Sequence, residues 1–217
     1  LGLGQENYRF HDHEKLAHYA NAAADIEFKF PFGFKELEGI NSRTDFDLSA
    51  HEKFSGRKLQ YFDPERNENY VPYVVETSIG LDRMFLALFS NCLKDEVLED
   101  GSERTVLSLP PALAPVKAAI LPLVKKDGLP EFAEKIFNDL KYDFNVISEE
   151  KDSIGKRYRR QDAIGTPFCI TVDHDSLADG TVTLRERDTM KQERVKVEDL
   201  RRIIDEKVNF RTLLSKI

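Results

Sequence analysis

The chain has 217 residues, of which 41% are hydrophobic and 33% charged, and its formal net charge is −7 at pH 7. These values describe an ordinary soluble protein. No run approaches the roughly 18 apolar residues of a membrane span, and the first residues lack the apolar region of a signal peptide. Because only Cys92 and Cys169 are present, we expect reduced thiols in a cytoplasmic protein rather than a disulfide. The first residue is not Met, which favours a piece of a longer protein.

The charge is unevenly distributed along the chain. Residues 1–103 hold 11 Lys and Arg against 20 Asp and Glu, a balance of −9, whereas residues 104–217 hold 21 against 19, a balance of +2. The second half is therefore the better candidate for contacting a polyanion.

The first informative stretch, PFGFKELEGINSRTDFDLSAH, covers residues 31–51. Two glycines, Gly33 and Gly39, bracket Glu36 and Glu38, which lie two positions apart on a predicted hairpin strand. Arg43 and Asp45 follow, and they form either an internal ion pair or a pair that orients a substrate.

The second informative stretch, YVPYVVETSIGLDRMFLALFSNCL, covers residues 70–93. It predicts a buried strand from its β-branched residues, a break at Gly80, and a helix with one apolar face. Because strand side chains alternate, Glu76 and Ser78 should share a face. Arg83 in the first helical turn is unfavourable with the helix dipole, which indicates an anionic partner. The alternative is a core strand and helix with a surface arginine.

These residues resemble a known family. GLDR is similar to the third signature motif of class II aminoacyl-tRNA synthetases, and VVETSIGLDRMFLAL resembles that motif in dimeric glycyl-tRNA synthetases. FGFKELEGINSRTDFDL and HEKLAHYANAA are similar to further segments of the same family. The resemblance implies that Arg83 is the catalytic residue that contacts the ATP γ-phosphate, and that Glu36 binds Mg²⁺.

The same resemblance implies two substrate sites. The ATP-binding residues would be Glu36, Leu37, Gly80, Leu81, Asp82 and Arg83. The glycine-binding residues would be Glu76, Thr77, Ser78, Ile79 and Gly80. A pocket filled by Glu, Thr and Ser side chains would leave little room for a substrate side chain.

Residues 94–105 are acidic and lose periodicity, which predicts a linker between domains at 1–103 and 104–217. After it, strand and helix patterns alternate. The patterns predict helices over Val116–Lys125, Pro130–Leu140, Ser153–Ala163 and Leu200–Val208, and strands over Thr105–Leu109, Phe144–Ile147, Phe168–Val172, Thr181–Arg187 and Arg194–Val197. We therefore expect an α/β (α+β) protein. Part of a class II antiparallel-sheet catalytic domain would be followed by a mixed five-stranded domain that resembles the anticodon-binding domain of these synthetases.

One dense basic run lies in the second domain. Its residues are Lys156, Arg157, Tyr158, Arg159 and Arg160. Cations can bind phosphates while an interleaved tyrosine stacks on an unpaired base, so the run predicts tRNA binding; the alternative is a solvated helix face. Arg185 and Arg187, expected to point outward from a hairpin, are secondary candidates.

The resemblance implies a glycine–tRNA ligase that uses ATP and Mg²⁺, acts on glycine and tRNA(Gly), and is a homodimer without a membrane partner when full length. The chain would be the C-terminal portion, without the first two class II motifs and inactive alone. The alternative is a noncatalytic synthetase-like module, either a polymerase accessory subunit or a tRNA-binding protein.

Overall fold

The computed structural model describes residues 3–215. Its contacts divide the chain between Ser90 and Asn91 into two compact units, here the N-terminal unit (3–90) and the C-terminal unit (91–215). This division lies before the expected boundary at residues 103 and 104, so the assignment of 1–103 and 104–217 to two functional domains stays a prediction. Within the described residues, no helix has the length and apolar composition needed to cross a bilayer.

The N-terminal unit is built on an antiparallel sheet. Its strands and helices, in chain order, are β1 (Tyr8–Asp12), β2 (Ala22–Phe30), β3 (Gly33–Ser42), α1 (Phe46–Ser55), β4 (Tyr61–Asp63), β5 (Glu68–Tyr70), β6 (Val75–Ile79) and α2 (Leu81–Cys92). The main sheet has the order β1-β2-β3-β6, and β4 and β5 form a separate hairpin. Gly33 has a φ of 101°, which only glycine adopts readily, and this lets β2 turn directly into β3.

The predicted buried strand differs from the observed one. β6 begins at Val75 rather than Val71, and the Val75 side chain is exposed. Among residues 3–215, β3 is the one strand that pairs with β6 in this sheet, so β6 lies at the edge of the sheet that these residues form. The apolar face predicted for α2 is confirmed in part: Cys92 is buried, but Leu81 and Phe85 are exposed.

The predicted linker is a hairpin. β7 (Leu93–Val97) pairs with β8 (Glu103–Leu107), so residues 94–105 are largely regular structure. The Arg104 side chain is only 2% exposed and donates to Glu96 and Asp162. The charged residues hid this pairing because Arg104 pairs with Glu96 across the hairpin instead of remaining in water.

We expect limited trypsin digestion to begin after Arg57 or Lys58 rather than after Arg104. Residues 54–60 are all exposed, and 56–60 have no regular secondary structure, whereas Arg104 is held within a strand pair. Mass spectrometry of the earliest fragments measures the order of cleavage. A first cut at Arg104 would contradict the hairpin.

The C-terminal unit contains a five-stranded mixed sheet. Its elements after β8 are β9 (Ala118–Pro122), α3 (Leu129–Leu140), β10 (Val146–Ser148), α4 (Ile154–Ile164), β11 (Phe168–Val172), α5 (His174–Asp179), β12 (Thr181–Glu186), β13 (Gln192–Lys196), α6 (Leu200–Val208) and α7 (Phe210–Leu214). The order is β10-β9-β11-β12-β13, with β9 parallel to both neighbours and the last three strands antiparallel. The predicted mixed α/β fold is thus confirmed.

The predicted helix over Val116–Lys125 is wrong, because this segment contains β9. All five residues of β9 are buried. A strand that is covered on both faces is apolar at every position. Such a short apolar run shows no periodicity of hydrophobic residues by which a strand could be distinguished from a helix.

Helices cover both faces of this sheet. Ala118 and Ile120 of β9 belong to the core formed with α3 and α6. Ala119 and Leu121 face the other side, where Cys169 and Tyr158 complete a smaller cluster under α4. The alternation along β9 therefore places α4 on the opposite side of the sheet from α3 and α6.

We expect neither thiol to react with iodoacetamide in the folded protein at pH 8. Burial raises the pKa of Cys169 to about 12 and also raises the pKa of Cys92. The thiolate is the form of cysteine that reacts. Because the pKa of each thiol is raised, little thiolate is present at either residue at pH 8. Mass spectrometry should find both cysteines unmodified in buffer and alkylated in denaturant. Rapid native labelling of Cys169 would contradict its burial.

Candidate functional site

The turn between β6 and α2 opens into a cavity of about 470 Å³. Its lining residues come from β3, β6 and the start of α2: Glu36, Leu37, Ser78, Gly80, Leu81, Asp82 and Arg83. Antiparallel pairing of β3 with β6 places Gly39 opposite Ser78, which brings the two segments together. Six of these residues are the predicted ATP-binding set, and Ser78 belongs to the predicted glycine-binding set.

An ion pair crosses this cavity. Nη1 of Arg83 donates to the carbonyl oxygen of Glu36 at 2.7 Å and lies 3.0 Å from its Oε2 atom. Both side chains are about half exposed, so the guanidinium has donors free for an anionic ligand. The pair places a cation at the helix start and a carboxylate across the cavity.

Glu76 is held by a second ion pair. Nη1 of Arg43 donates to Oε2 of Glu76 at 2.6 Å, while Nε and Nη2 donate to Asp47 at 2.5 and 3.0 Å. The Arg43 guanidinium also lies 4.1 Å from the Tyr19 ring centroid. These contacts fix Arg43 on three sides, and Arg43 in turn fixes the Glu76 carboxylate.

The hydrogen bond with Asp47, followed by that with Glu76, raises the pKa of Arg43, and the same Arg43–Asp47 bond lowers the pKa of Asp47. The Arg43–Asp45 pairing considered from the sequence is wrong: Asp45 instead accepts from Ser49 at 2.9 Å. Asp47 lies in the first turn of α1 and Arg43 precedes that helix, so the i,i+4 pattern of a regular helix did not signal the observed pair.

Of the predicted glycine-binding residues, Ser78 and Gly80 line the cavity, whereas Glu76, Thr77 and Ile79 do not. Glu76 shares a face with Ser78 by strand alternation, whereas Thr77 and Ile79 point to the opposite face of β6. Residues 3–215 contain no group of three His, Cys, Asp or Glu side chains placed to hold a metal. Any ion at Glu36 would therefore take its remaining ligands from elsewhere.

The basic run lies on α4, and its cations are unequally available. Arg157 is buried and donates to the carbonyl oxygens of Pro122 at 2.7 Å and Glu149 at 3.1 Å. Arg160 donates to the carboxylates of Glu149 and Asp152 at 2.7 and 2.9 Å. These two arginines therefore already have partners inside the unit.

Sequence comparisons identify both units. Residues 117–207 match the family model of an anticodon binding domain. Glycine–tRNA ligases from Chlorobaculum tepidum and Macrococcus caseolyticus are 56% identical over 195 residues and 54% identical over 212 residues. These alignments cover 90% and 97% of this chain but 41% and 46% of the relatives. A third, from Clostridium perfringens, is 54% identical over 216 residues, which is 97% of this chain and 46% of the relative.

The chain belongs to the glycine–tRNA ligase family. It spans less than half the length of these relatives and matches their C-terminal part. The alignments with these relatives cover nearly the whole chain, and the anticodon-binding domain accounts for most of the C-terminal unit.

Within the anticodon-binding domain, Arg157 is unsuited to the predicted contact with tRNA because its side chain is inaccessible. Tyr158 is also structural: its hydroxyl lies 2.6 Å from Oγ1 of Thr171, and its ring packs on the sheet. Burial raises the pKa of this hydroxyl. Lys156, which is exposed, and Arg159, which is partly exposed and lies 4.0 Å from Asp162, are the available cations of the run, because the equally exposed Arg160 is already paired with two carboxylates.

The secondary candidates Arg185 and Arg187 do not point outward as predicted; both are buried. Arg185 donates to Asp162 at 2.7 and 2.9 Å, and Arg187 donates to the carbonyl oxygen of Gly165 at 2.8 Å. Arg187 also pairs with its neighbour Asp188 at 2.8 Å, but the buried partners Asp162 and Gly165 are more than 20 residues away in sequence, so no local pattern signalled the burial.

Proposed function

We propose that this chain forms part of the glycine and ATP site, together with the tRNA-binding domain, of a glycine–tRNA ligase. The observation that carries the proposal is the cavity at Gly80, where residues of two separated family segments converge on Arg83 and Glu36. Because the chain spans under half of its relatives, the activity is proposed for the longer protein that carries it.

The proposed reaction has two steps. The carboxylate oxygen of glycine attacks the α-phosphorus of ATP, giving glycyl-adenylate and pyrophosphate. A hydroxyl group of tRNA(Gly) then takes the glycyl group from the adenylate, and AMP leaves. The first step requires no nucleophile or general base from the protein, because the carboxylate is itself the nucleophile. The residues instead act by positioning the substrates and stabilising charge.

In this scheme Arg83 binds the γ-phosphate, and Glu76 binds the ammonium group of glycine with Ser78 beside it. Glu36 and Leu37 lie against the nucleotide. The guanidinium of Arg83 exchanges its contact with Glu36 for one with phosphate, which frees the Glu36 carboxylate. Arg43 keeps the Glu76 carboxylate in place.

Magnesium fits this arrangement through Glu36. When bound, Mg²⁺ would neutralise phosphate charge, and this ion usually takes one or two carboxylates while phosphates and water complete its octahedron. The half-exposed Glu36 carboxylate in the cavity is suited to that role.

The anticodon-binding domain is proposed to bind tRNA(Gly) through the exposed side of α4, at Lys156 and Arg159. The +2 balance of residues 104–217 supports this surface over the acidic half. Homodimerisation and a cytoplasmic location are proposed from the family alone.

Two measurements test the proposal. The full-length protein should catalyse ATP–pyrophosphate exchange with glycine and not with alanine or serine, and an absence of exchange with glycine would favour a noncatalytic module. The 217-residue chain should bind tRNA with an affinity that falls as salt rises, because cations on the protein displace counterions from phosphates. Salt-independent binding or no binding would reject the tRNA surface.

A further inference from the structure

A bare strip of the N-terminal sheet adjoins the cavity at Gly80. Across the three strands, Gly39 of β3 lies opposite Asp25 of β2 on one side and opposite Ser78 of β6 on the other. Residues directly opposite each other in antiparallel strands share a face of the sheet. Asp25 and Ser78 therefore flank Gly39 on the cavity face with no side chain between them. We call this place, bounded by Asp25, Glu36 and Ser78, the Gly39 gap.

Within the described residues, neither backbone conformation nor packing requires a glycine at position 39. The φ of Gly39 is not positive, so other residues can adopt its conformation. A Cβ atom built on Gly39 would lie 3.7 Å from its nearest neighbours, which is an ordinary van der Waals distance. Glycine weakens a strand, and a glycine inside a strand often marks the place where a ligand approaches the backbone. The missing side chain thus indicates room for a ligand.

Two carboxylates each direct one oxygen at the Gly39 gap. Oδ1 of Asp25 and Oε1 of Glu36 both lie 3.7 Å from the position of that Cβ atom. Their other oxygens have partners, because Nε2 of His13 lies 2.9 Å from Oδ2 of Asp25 and Nη1 of Arg83 lies 3.0 Å from Oε2 of Glu36. Within residues 3–215, Oδ1 of Asp25 and Oε1 of Glu36 have no hydrogen-bond partner. Both oxygens are therefore available to one ligand.

The two oxygens determine which chemical group can bind. Ionised carboxylates only accept hydrogen bonds, so the ligand must present two donors above the backbone of Gly39. The adjacent hydroxyl groups of a nucleotide ribose meet this requirement, and carboxylates also accept hydrogen bonds from ribose in dinucleotide-binding proteins. The ammonium group of glycine is not available, because the proposed function assigns it to Glu76.

We propose that the Gly39 gap binds a nucleotide ribose, whose ring lies against the backbone of Gly39 and whose hydroxyls donate to Asp25 and Glu36. Asp25 is then a substrate-binding residue, and His13 is a positioning residue that holds the Asp25 carboxylate. Oε2 of Glu36 remains for Arg83 or for the proposed magnesium ion. The proposal rests on the proposed function and deepens it. Two of its substrates carry such a ribose, namely ATP and the terminal nucleotide of tRNA(Gly).

Gly39→Ala fills the gap without removing any contact of the fold. The added methyl group occupies the place of the ribose ring at a distance that both carboxylates tolerate. Thermal unfolding of the 217-residue chain should show that this variant is at least as stable as the parent, because alanine suits a strand better than glycine does. A loss of function in Gly39→Ala therefore reports on the ligand.

Asp25→Asn keeps the size of the side chain and replaces a charged acceptor by a neutral one. Asp12→Asn is the matched control, because Asp12 is an exposed aspartate on β1 that makes no ion pair within the described residues. His11 pairs with Asp25 across the strands, so the adjacent Asp12 points to the opposite face of the sheet.

The first arm of the experiment measures ATP–pyrophosphate exchange by a full-length ligase that carries this chain. If the ribose belongs to ATP, Gly39→Ala and Asp25→Asn should raise the KM for ATP about 10- to 100-fold, as expected for loss of a hydrogen bond to a charged group. Asp12→Asn should match the parent. In the parent, 2′-deoxy-ATP or 3′-deoxy-ATP should show a similar loss. The same analogue should cost Asp25→Asn little, because the bond is already absent.

The role of His13 has its own readout. His13→Ala should raise the affected constant by less than Asp25→Asn does, because the Asp25 carboxylate remains but is less well held. Combined with Asp25→Asn, it should cause no further loss. A loss that simply adds to that of Asp25→Asn would show that His13 acts independently of this carboxylate and would reject its positioning role.

The second arm follows a single turnover of glycine transfer from preformed glycyl-adenylate to tRNA. If the ribose belongs to tRNA, exchange should be unchanged in Gly39→Ala and Asp25→Asn, whereas transfer should slow about 10- to 100-fold. A tRNA whose terminal ribose lacks the hydroxyl that is not acylated should slow the parent more than Asp25→Asn.

The two arms also separate this proposal from the proposed function. If the parent ligase catalyses no exchange with glycine, the proposed function fails and the ribose site fails with it. If the parent is active and both Gly39→Ala and Asp25→Asn match it in exchange and in transfer, only the ribose site is rejected.

Discussion

Glu76→Ala, in a full-length ligase that carries this chain, is expected to slow glycine activation about 30-fold or more. The ammonium group of glycine needs an anion in the site, and removing one partner of a shielded charge pair costs roughly 2–5 kcal/mol. The loss should be larger at low glycine concentration, because Glu76 contacts glycine rather than ATP. Within residues 3–215, Arg43 would then keep one carboxylate partner, Asp47.

ATP–pyrophosphate exchange measured over a range of glycine concentrations tests this expectation. Glu68→Ala is the matched control, since Glu68 is an exposed glutamate on β5 whose nearest cation, Arg66, lies 3.9 Å away. The KM for ATP should change little in the Glu76 variant. Unchanged exchange at low glycine would reject the role of Glu76.

Much of the cavity at Gly80 could be predicted because its chemistry is local in sequence. Ser78, Gly80 and Arg83 lie within six consecutive residues that a strand, a turn and a helix start must place together. Local spacing could not place Glu36 in the cavity, because Glu36 comes from β3. Only the resemblance of residues 31–51 and 70–93 to one family connected the two stretches. The sequence pointed to Arg43 as a candidate but did not reveal its partner Glu76, because the two residues are 33 positions apart.

The basic run shows what sequence alone cannot determine. The four cations of the run looked alike in sequence, yet Arg157 is buried against carbonyl oxygens and Arg160 is neutralised by Glu149 and Asp152. Burial lowers the pKa of Arg157, whose acceptors within residues 3–215 are carbonyl oxygens. Which cations remain free depends on tertiary contacts that periodicity does not encode.

The same limit applies to β12. Arg185 alternates with apolar residues, the pattern of a strand with one solvent face, but that face is covered by α4. The Asp162 carboxylate neutralises the charge of Arg185. The sequence predicted Asp162 to lie on a basic helix and indicated no role for this residue. Recognising the pair required the packing of α4 on the sheet.

Asp162→Ala is expected to destabilise the C-terminal unit by about 3–5 kcal/mol, the cost of leaving buried cations without their carboxylate. Asp162 is fully buried, and its two oxygens accept from Arg185 at 2.7 and 2.9 Å and from Arg104 at 3.1 Å. Urea unfolding followed by circular dichroism measures the change. Asp139→Ala is the control, because Asp139 pairs with Arg201 at the exposed surface and such pairs contribute about 0–1 kcal/mol.

A double variant separates lost pairing from general damage to the core. Arg185→Met removes the cation that Asp162 contacts most closely, and Arg104 still has Glu96 at 2.6 Å when Asp162 is absent. Asp162→Ala with Arg185→Met should therefore cost about 0.5–3 kcal/mol less than the sum of the two single variants. Strict additivity would mean that the two side chains contribute independently. A cost below about 1 kcal/mol for Asp162→Ala alone would show that water reaches the two arginines and replaces the carboxylate.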